Sequence, residues 1–250
     1  SLVKKISPLI INNGIKTPEL NNYQPKIWRR FQVPGNITMA RLGYILMTLY
    51  EMQASHLFCI TVPVRENAKL DPSLPGAGTV LRDGIWRFEL NNEELFPGEG
   101  EKSFDASAYK MRSVLQGCTG EKLTLEYDYG DGWEIEVTLE TILEDKELPG
   151  RELPRVLAGE GYGIIEDCGG TGGLERLAEA FRQKNGDDYV HYKKWLGRDD
   201  LDLDSFDLDD MNQRLKKVPR IYTELYEYGC APSQRSLDFL ERKYQDNARR

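Results

Sequence analysis

The sequence predicts an α+β protein, with a mixed, largely antiparallel sheet built from hairpins, helices packed on it, and a small C-terminal helical appendage. Two observations carry this prediction. Residues 123–127 and 133–139 alternate apolar and polar side chains around a Gly-containing turn, which is typical of a hairpin with one buried face. Residues 38–52 instead repeat apolar side chains every three or four positions, which is typical of a helix with one buried face.

The N-terminal part of the chain is predicted to form strands around that helix. Residues 15–20 and 27–33 are expected to form a hairpin, because turn-prone residues lie between them. Asn36 or Thr38 can cap the helix, since either side chain can accept from a free N–H group in its first turn. Residues 56–62 are a short apolar run, which predicts a buried strand.

The next segment is predicted to contain a second hairpin and a short helix. Residues 79–90 are expected to turn at an Asp-Gly pair, so that Trp86 and Phe88 share one face of the hairpin. An acidic connection over residues 91–105 leads to a helix over residues 107–116, which ends before a glycine.

The C-terminal part is predicted to be mainly helical. Residues 154–173 are Gly-rich and are expected to be irregular, while residues 173–183 carry the apolar stripe of a helix. Asp207 is expected to cap the helix that follows it. We therefore predict an α+β domain over residues 1–216 and a helical extension over residues 217–250.

The composition predicts a folded protein of the cytoplasm. Hydrophobic residues make up 40% and charged residues 30% of the chain, as in ordinary globular proteins. No apolar run reaches the roughly 18 residues of a membrane helix, so we expect no membrane partner. The four cysteines are far apart and form no CxxC pair, which argues against a zinc ribbon or a dense disulfide framework.

Charge is distributed unevenly along this acidic protein. The net charge is -8, but residues 1–50 carry +6 and residues 214–250 carry +4, which leaves -18 for residues 51–213. An acidic body repels phosphate at long range. Nucleic-acid binding would therefore depend on a local N-terminal basic patch; another protein is the alternative partner.

Three phrases of the sequence stand out together. They are Pro-Lys-Ile-Trp-Arg-Arg at residues 25–30, Tyr-Asp-Tyr-Gly-Asp-Gly-Trp at residues 127–133 and Glu-Asp-Cys-Gly-Gly at residues 166–170. In their order and spacing the chain resembles the plasmid pRiA4b ORF-3-like family, also described as passenger proteins of a mobile insertion element. The resemblance covers roughly residues 15–216. It implies an α+β domain encoded on plasmids and mobile elements as well as chromosomes, without an established activity.

The chain departs from the family at positions where metal ligands could lie. Family members often carry histidines or cysteines where this sequence has Phe58, Ile135, Val156 and Gly163. Zinc needs three or four thiolate, imidazole or carboxylate ligands. We therefore expect no transition metal and no cofactor, apart from the possibility that the remaining carboxylates bind Mg²⁺.

Five residues are candidates for catalysis if they converge. Asp128 and Asp131 flank a tight turn, and Glu166 and Asp167 lie in the Gly-rich loop. Together with His56 they could bind Mg²⁺ or Ca²⁺, or supply an acid/base pair. The structural alternative is favoured, because Asp and Gly are ordinary turn residues and a histidine can simply hydrogen-bond beside a sheet.

A second set of residues is predicted to bind a ligand. Arg29 and Arg30 could clamp phosphate, while Trp28 could stack on a base. The alternative has the arginines pairing with the acidic middle of the chain and Trp28 packing in the core. The candidate binding residues are Trp28, Arg29, Arg30, Trp133, Cys168, Gly169 and Gly170.

Three functional hypotheses stay open at this point. The first is a non-enzymatic binding or accessory protein linked to plasmid or mobile-element biology, with nucleic acid or protein as its partner. The second is a hydrolase-like enzyme that uses the acidic cluster with His56, with or without Mg²⁺. The third is a structural protein-interaction module.

Overall fold

The computed structural model describes residues 27–64, 84–90, 100–115, 122–143 and 152–242, and the backbone of residues 8–15. They form the predicted α+β fold. The strands are β1 (Pro8–Ile15), β2 (Trp28–Pro34), β3 (Phe58–Pro63), β4 (Ile85–Glu89), β5 (Glu101–Asp105), β6 (Lys122–Tyr127), β7 (Trp133–Ile142) and β8 (Arg155–Glu160). The helices are α1 (Met39–Leu49), α2 (Met111–Leu115), α3 (Gly170–Gln183), α4 (Gly186–Leu196), α5 (Leu208–Leu215), α6 (Val218–Tyr226) and α7 (Gln234–Leu240).

The described strands form one eight-stranded sheet in the order β5-β4-β3-β6-β7-β1-β2-β8. Neighbouring strands are antiparallel except for β4 and β5, which are parallel. The sheet is therefore mixed and largely antiparallel, as predicted.

The β6–β7 hairpin follows the alternation seen in the sequence. Leu123, Leu125 and Tyr127 are buried, and Tyr127 pairs with Trp133 at the end of the hairpin. The turn over residues 128–132 is consequently fixed at one end of the sheet.

The N-terminal hairpin forms, but its first strand lies earlier in the chain than predicted. The second predicted strand corresponds to β2, whereas β1 spans Pro8–Ile15 and only touches the predicted range at its last residue. Residues 16–20 lie outside the described residues. Since β1 sits between β2 and β7, its backbone pairs along both edges, and this placement comes from long-range pairing rather than a local pattern.

Two strands are absent from the predictions because their sequences lack alternation. Strand β5 lies in the expected connection over residues 91–105, and Phe104 is its one buried residue. Strand β8 lies in the Gly-rich segment, where Val156 is its one buried residue. Both lie at the edges of the sheet and bury a single residue each, so neither carries the alternation of a strand with one buried face. The first strand of the predicted 79–90 hairpin falls in residues outside the description, while Trp86 and Phe88 of β4 are both buried as expected.

Helix α1 is the centre of the core. Thr38 caps it by accepting from the Arg41 N–H at 3.1 Å, and almost all of its residues are buried. It contacts β3 and β4 on one side and α5 and α6 on the other. The apolar repeat in the sequence therefore understates how fully this helix is enclosed.

The other helices agree with the predictions in part. The side chain of Asp207 caps α5 as expected, accepting from the Asp210 N–H at 2.9 Å. Helix α3 begins three residues before the predicted start, and α4 was not predicted; none of the residues of α4 is buried, so no apolar stripe marks it. Among the described segments, no helix combines the length and apolar character needed to cross a membrane.

A buried ion network joins the C-terminal helices to α1. Glu51 follows α1, and its carboxylate accepts from Arg242 Nε at 2.7 Å and lies 3.3 Å from Arg214 Nη2. Arg242 also pairs with Asp210 of α5. All four side chains are largely withdrawn from solvent. The end of the described chain is thus docked on the sheet domain, and a domain boundary at residue 216 stays a prediction.

Candidate metal centre

Three segments that are distant in sequence meet at one end of the sheet. They are the loop over residues 51–57, the β6–β7 turn and the loop over residues 161–169. His56 Nε2 lies 3.5 Å from Asp128 Oδ2 and 3.3 Å from Asp167 Oδ1. The three donor atoms all lie within 4.8 Å of one another. We refer to His56, Asp128 and Asp167 as the triad.

Asp128 is held by the end of the hairpin. Its backbone N–H donates to the Leu57 carbonyl at 3.1 Å, which extends the β3–β6 pairing by one residue. Its Oδ1 atom accepts from the N–H groups of Gly130 and Asp131 at 3.0 and 3.3 Å. These contacts leave Oδ2 to face His56. The side chain is only 8% exposed, so this orientation is fixed by its surroundings.

Glu166 ties the loop that carries Asp167 to the other two segments. Its carboxylate accepts from the Gln53 N–H at 2.7 Å and from the hydroxyls of Ser55 and Tyr127. Burial and the neighbouring Glu166 charge raise the pKa of Tyr127, so the phenol stays protonated and can donate. Glu166 therefore acts as an acceptor that fixes the loop.

Asp131 makes a second connection between the turn and the Gly-rich loop. Its Oδ2 atom accepts from the Gly169 N–H at 3.2 Å. The loop needs glycines there, because a Cβ at Gly170 would lie 2.5 Å from the Asp131 carbonyl oxygen. A Cβ at Gly173 would lie 1.6 Å from the carbonyl oxygen of Cys168, inside contact distance. Gly169, Gly170 and Cys168 thus shape the loop.

His56 is positioned through both its backbone and its ring. Its carbonyl accepts from the Tyr226 hydroxyl at 2.5 Å. Its ring packs edge-on against Tyr127, with ring centroids 5.8 Å apart. The Nε2 atom is shielded from solvent and has no hydrogen-bond partner within the described part of the chain. A buried polar atom of this kind normally has a partner.

Negative charge is concentrated at the triad, where His56 faces both carboxylates. Within the described ranges, neither Asp128 nor Asp167 pairs with a lysine or arginine. Asp167 is 69% exposed, so the site opens to solvent on that side. Asp131 and Glu166 add two further carboxylates nearby, and the local field therefore attracts cations.

Arg29 and Arg30 point to opposite faces of β2, as alternation along a strand requires. The Arg29 guanidinium is fully buried and donates to five backbone carbonyls, so it cannot clamp an external phosphate. Arg30 pairs with Glu140, and its Nε donates to that carboxylate at 2.7 Å. The phosphate clamp predicted for these two residues is therefore not formed. Arg29 is held by backbone carbonyls inside the fold, and Arg30 pairs with Glu140.

The two candidate tryptophans are also engaged inside the fold. Trp28 is half-buried, and its Nε1 donates to Glu160 at 3.0 Å. Trp133 is 1% exposed and belongs to the core, so a ligand in solvent cannot reach it. Cys168 is buried as well, and burial raises the pKa of its thiol to about 12.

Sequence reasoning named the triad among its five catalytic candidates, together with Asp131 and Glu166 that hold it, but it missed the hydroxyl donors Ser55, Tyr127 and Tyr226. Ser55 and Tyr127 are adjacent to named candidates, so local sequence offers a weak signal for them. Tyr226 offers none, because α6 reaches the site only through tertiary packing.

Comparison with known proteins gives the family. The model of the plasmid pRiA4b ORF-3-like protein family matches residues 17–212. The chain belongs to this family. The matched range of this chain contains the whole triad, whereas Tyr226 lies beyond it.

Two relatives cover most of the chain. The Uncharacterized protein y4hQ of Sinorhizobium fredii (strain NBRC 101917 / NGR234) is 24% identical over 194 residues, which are 78% of this chain and 86% of that protein. The crystal structure of the protein of unknown function MM3350 from Methanosarcina mazei Go1 superimposes with a TM-score of 0.61 and 25% identity. That match covers 82% of this chain and 97% of MM3350, so the fold is shared over nearly all of that protein.

Proposed function

We propose that this pRiA4b ORF-3-like protein is a binding protein whose ligand is a divalent metal ion, held by His56, Asp128 and Asp167. The observation that carries the proposal is the convergence of one imidazole nitrogen and two carboxylate oxygens within 4.8 Å. The same His56 Nε2 is shielded from solvent and faces the two carboxylates at 3.3 and 3.5 Å without forming a hydrogen bond among the described residues. A bound ion would give this atom its partner and would neutralise the two carboxylates.

The donor separations favour zinc over magnesium. In a tetrahedral zinc site, with ligands at about 2.0–2.2 Å, neighbouring donors lie about 3.4 Å apart. In an octahedral magnesium site, with ligands at about 2.0–2.1 Å, they lie about 3.0 Å apart. Two of the three separations, those of 3.3 and 3.5 Å from His56 Nε2, are nearer the zinc value. The imidazole favours the same ion, because Mg²⁺ prefers oxygen ligands.

The family positions that lack His and Cys do not weigh against zinc, because the proposed ligands lie elsewhere in the chain. A nucleic-acid ligand has less support, since Arg29 is buried and Arg30 is paired. We retain an accessory role in plasmid or mobile-element biology as part of the proposal, with the metal ion as the ligand.

The test is direct measurement of Zn²⁺ binding to metal-free protein by competition with a chromophoric chelator. We expect one ion per chain. Substituting a residue that hydrogen-bonds to a metal ligand typically weakens binding by roughly 10–100-fold. His56→Ala, Asp128→Asn and Asp167→Asn each remove a ligand itself and should weaken binding by more than that. Exposed His191 on α4 supplies the matched control, and His191→Ala should bind like wild type. Failure of the wild-type protein to bind, or an equal loss in His191→Ala, would refute the proposal.

A metal-dependent hydrolase is the second candidate, and the number of ligands favours it. Three protein ligands leave a fourth position for water, as in catalytic zinc sites. A zinc ion held by these residues would lower the pKa of its bound water to about 7 and so would supply a nucleophile. The test is hydrolysis of a panel of carboxylic and phosphate esters with and without Zn²⁺. For an enzyme we expect activity that is abolished by chelation, restored by Zn²⁺ and absent in Asp167→Asn. A protein that binds the metal but is inactive on the whole panel would support the binding role only.

A further inference from the structure

We infer that Tyr226 of α6, supported by Tyr222, is a positioning residue of the metal centre: its hydroxyl fixes the backbone of His56 and thereby sets the affinity for the ion. The inference rests on the proposed metal-binding function. It extends the site to a helix that lies outside the family match over residues 17–212.

The contact pattern links one helix face to one loop. The Tyr226 hydroxyl donates to the His56 carbonyl at 2.5 Å, and the Tyr222 hydroxyl donates to the Met52 carbonyl. The two tyrosines are four residues apart and therefore lie on the same side of α6. Their acceptors are also four residues apart, so the helix holds both ends of the loop that carries His56.

Tyr226 is itself held rigidly. Its ring stacks on Tyr44 of α1, with centroids 5.8 Å apart and planes 10° from parallel. It also packs edge-on against Phe58 of β3 at 5.5 Å. These ring contacts fix the position of the Tyr226 hydroxyl relative to the core of the protein.

The part of the loop around His56 is partly exposed, and backbone hydrogen bonds at Leu57 and at His56 hold it in place. Gln53, Ser55 and Leu57 are solvent-exposed, and Ala54 has a left-handed φ of 63°. The Glu166 carboxylate restrains the loop at Gln53 and Ser55, but His56 itself is fixed by Tyr226. Ligands must be held within a few tenths of an ångström for high affinity, and groups behind the ligands provide that constraint.

The experiment compares Tyr226→Phe with Tyr228→Phe. Tyr228 follows two residues later and is 68% exposed, so the same chemical change there leaves the site untouched. We expect Tyr226→Phe to bind Zn²⁺ roughly 10-fold more weakly, at the low end of losses for groups behind the ligands, and Tyr228→Phe to match wild type. The visible spectrum of bound Co²⁺ should change in band position or intensity in Tyr226→Phe, because moving a ligand changes the ligand field. A general loss of protein stability would leave the spectrum of the bound ion unchanged.

Three results decide between the proposals. Weaker binding and an altered Co²⁺ spectrum in Tyr226→Phe alone support the positioning role. Wild-type affinity and spectrum in Tyr226→Phe overturn it while the metal centre stands. No metal binding by the wild-type protein overturns both. Tyr222→Phe is the second variant, measured where Tyr226→Phe does not fold: it should weaken binding less than 10-fold, and unchanged binding there counts against the inference.

Discussion

Replacing Arg29 separates a structural role from a ligand-binding one. Its five N–H donors meet the carbonyls of Trp28, Leu49, Glu160, Gly161 and Tyr162 at 2.6–3.1 Å. Hydrogen bonds to a charged group contribute about 1.5–3 kcal/mol each, but burial of the charge offsets much of the sum. Removing one member of a buried charged arrangement typically costs about 3–5 kcal/mol. We expect that loss for Arg29→Ala.

The assay is urea denaturation together with a thermal melt. A loss of about 3–5 kcal/mol corresponds to a melting temperature lower by roughly 6–20 °C for a chain of this size. Arg29→Lys should recover little, because an ammonium has three donors and cannot reach diverging carbonyls. Arg30→Ala is the matched control, since its exposed pair with Glu140 is worth under about 1 kcal/mol. A stable Arg29→Ala protein that loses nucleic-acid binding would refute this reasoning and restore the phosphate-clamp interpretation.

Three further predictions follow from buried contacts. Glu51→Ala leaves two arginines buried without their shared carboxylate and should lower the free energy of unfolding by about 3–5 kcal/mol in urea titration; a change below about 1 kcal/mol would contradict the network. Gly173→Ala should lose at least about 1–3 kcal/mol, measured by the same titration, because its Cβ overlaps a carbonyl, whereas a Cβ at Gly172 would meet only the Arg176 guanidinium at an ordinary 3.9 Å and Gly172→Ala should be milder. At about pH 8, iodoacetamide should label exposed Cys230 and spare buried Cys168 in the native protein, as mass spectrometry of tryptic peptides would show; equal rates would contradict the burial.

The parts of the fold that sequence predicts are those with strong local periodicity. The alternation around residues 127–133 and the apolar repeat of α1 each reflect one buried face, and both elements form as expected. Strands β5 and β8 lack that periodicity because they lie at the edges of the sheet. Helix α4 lacks it because the helix buries no residue. Local patterns report burial, so elements with little burial escape them.

The site could be predicted only as a set of residue types. The sequence offers His56 and several carboxylates, but it cannot tell which oxygens face the imidazole. Glu166 illustrates the point. It carries a carboxylate like that of Asp167, but three donors of the chain already hydrogen-bond to it. Asp131 is consumed in part by the Gly169 N–H. Which acids remain for a ligand depends on hydrogen bonds between segments more than 30 residues apart.

The backbone around the triad gives a further reason to treat it as a built site. Asp128 and Asp167 have φ values of 54° and 59°, in the left-handed region that non-glycine residues seldom adopt. Ala54, two residues before His56, has a φ of 63°. Such conformations cost of order 1–3 kcal/mol each and persist where surrounding contacts impose them. Here those contacts also hold two carboxylates beside one imidazole, and neither carboxylate forms an ion pair with a lysine or arginine among the described residues. A fold that maintains both the strain and the repulsion gains most from a cation at their centre, which relieves the repulsion and uses the geometry.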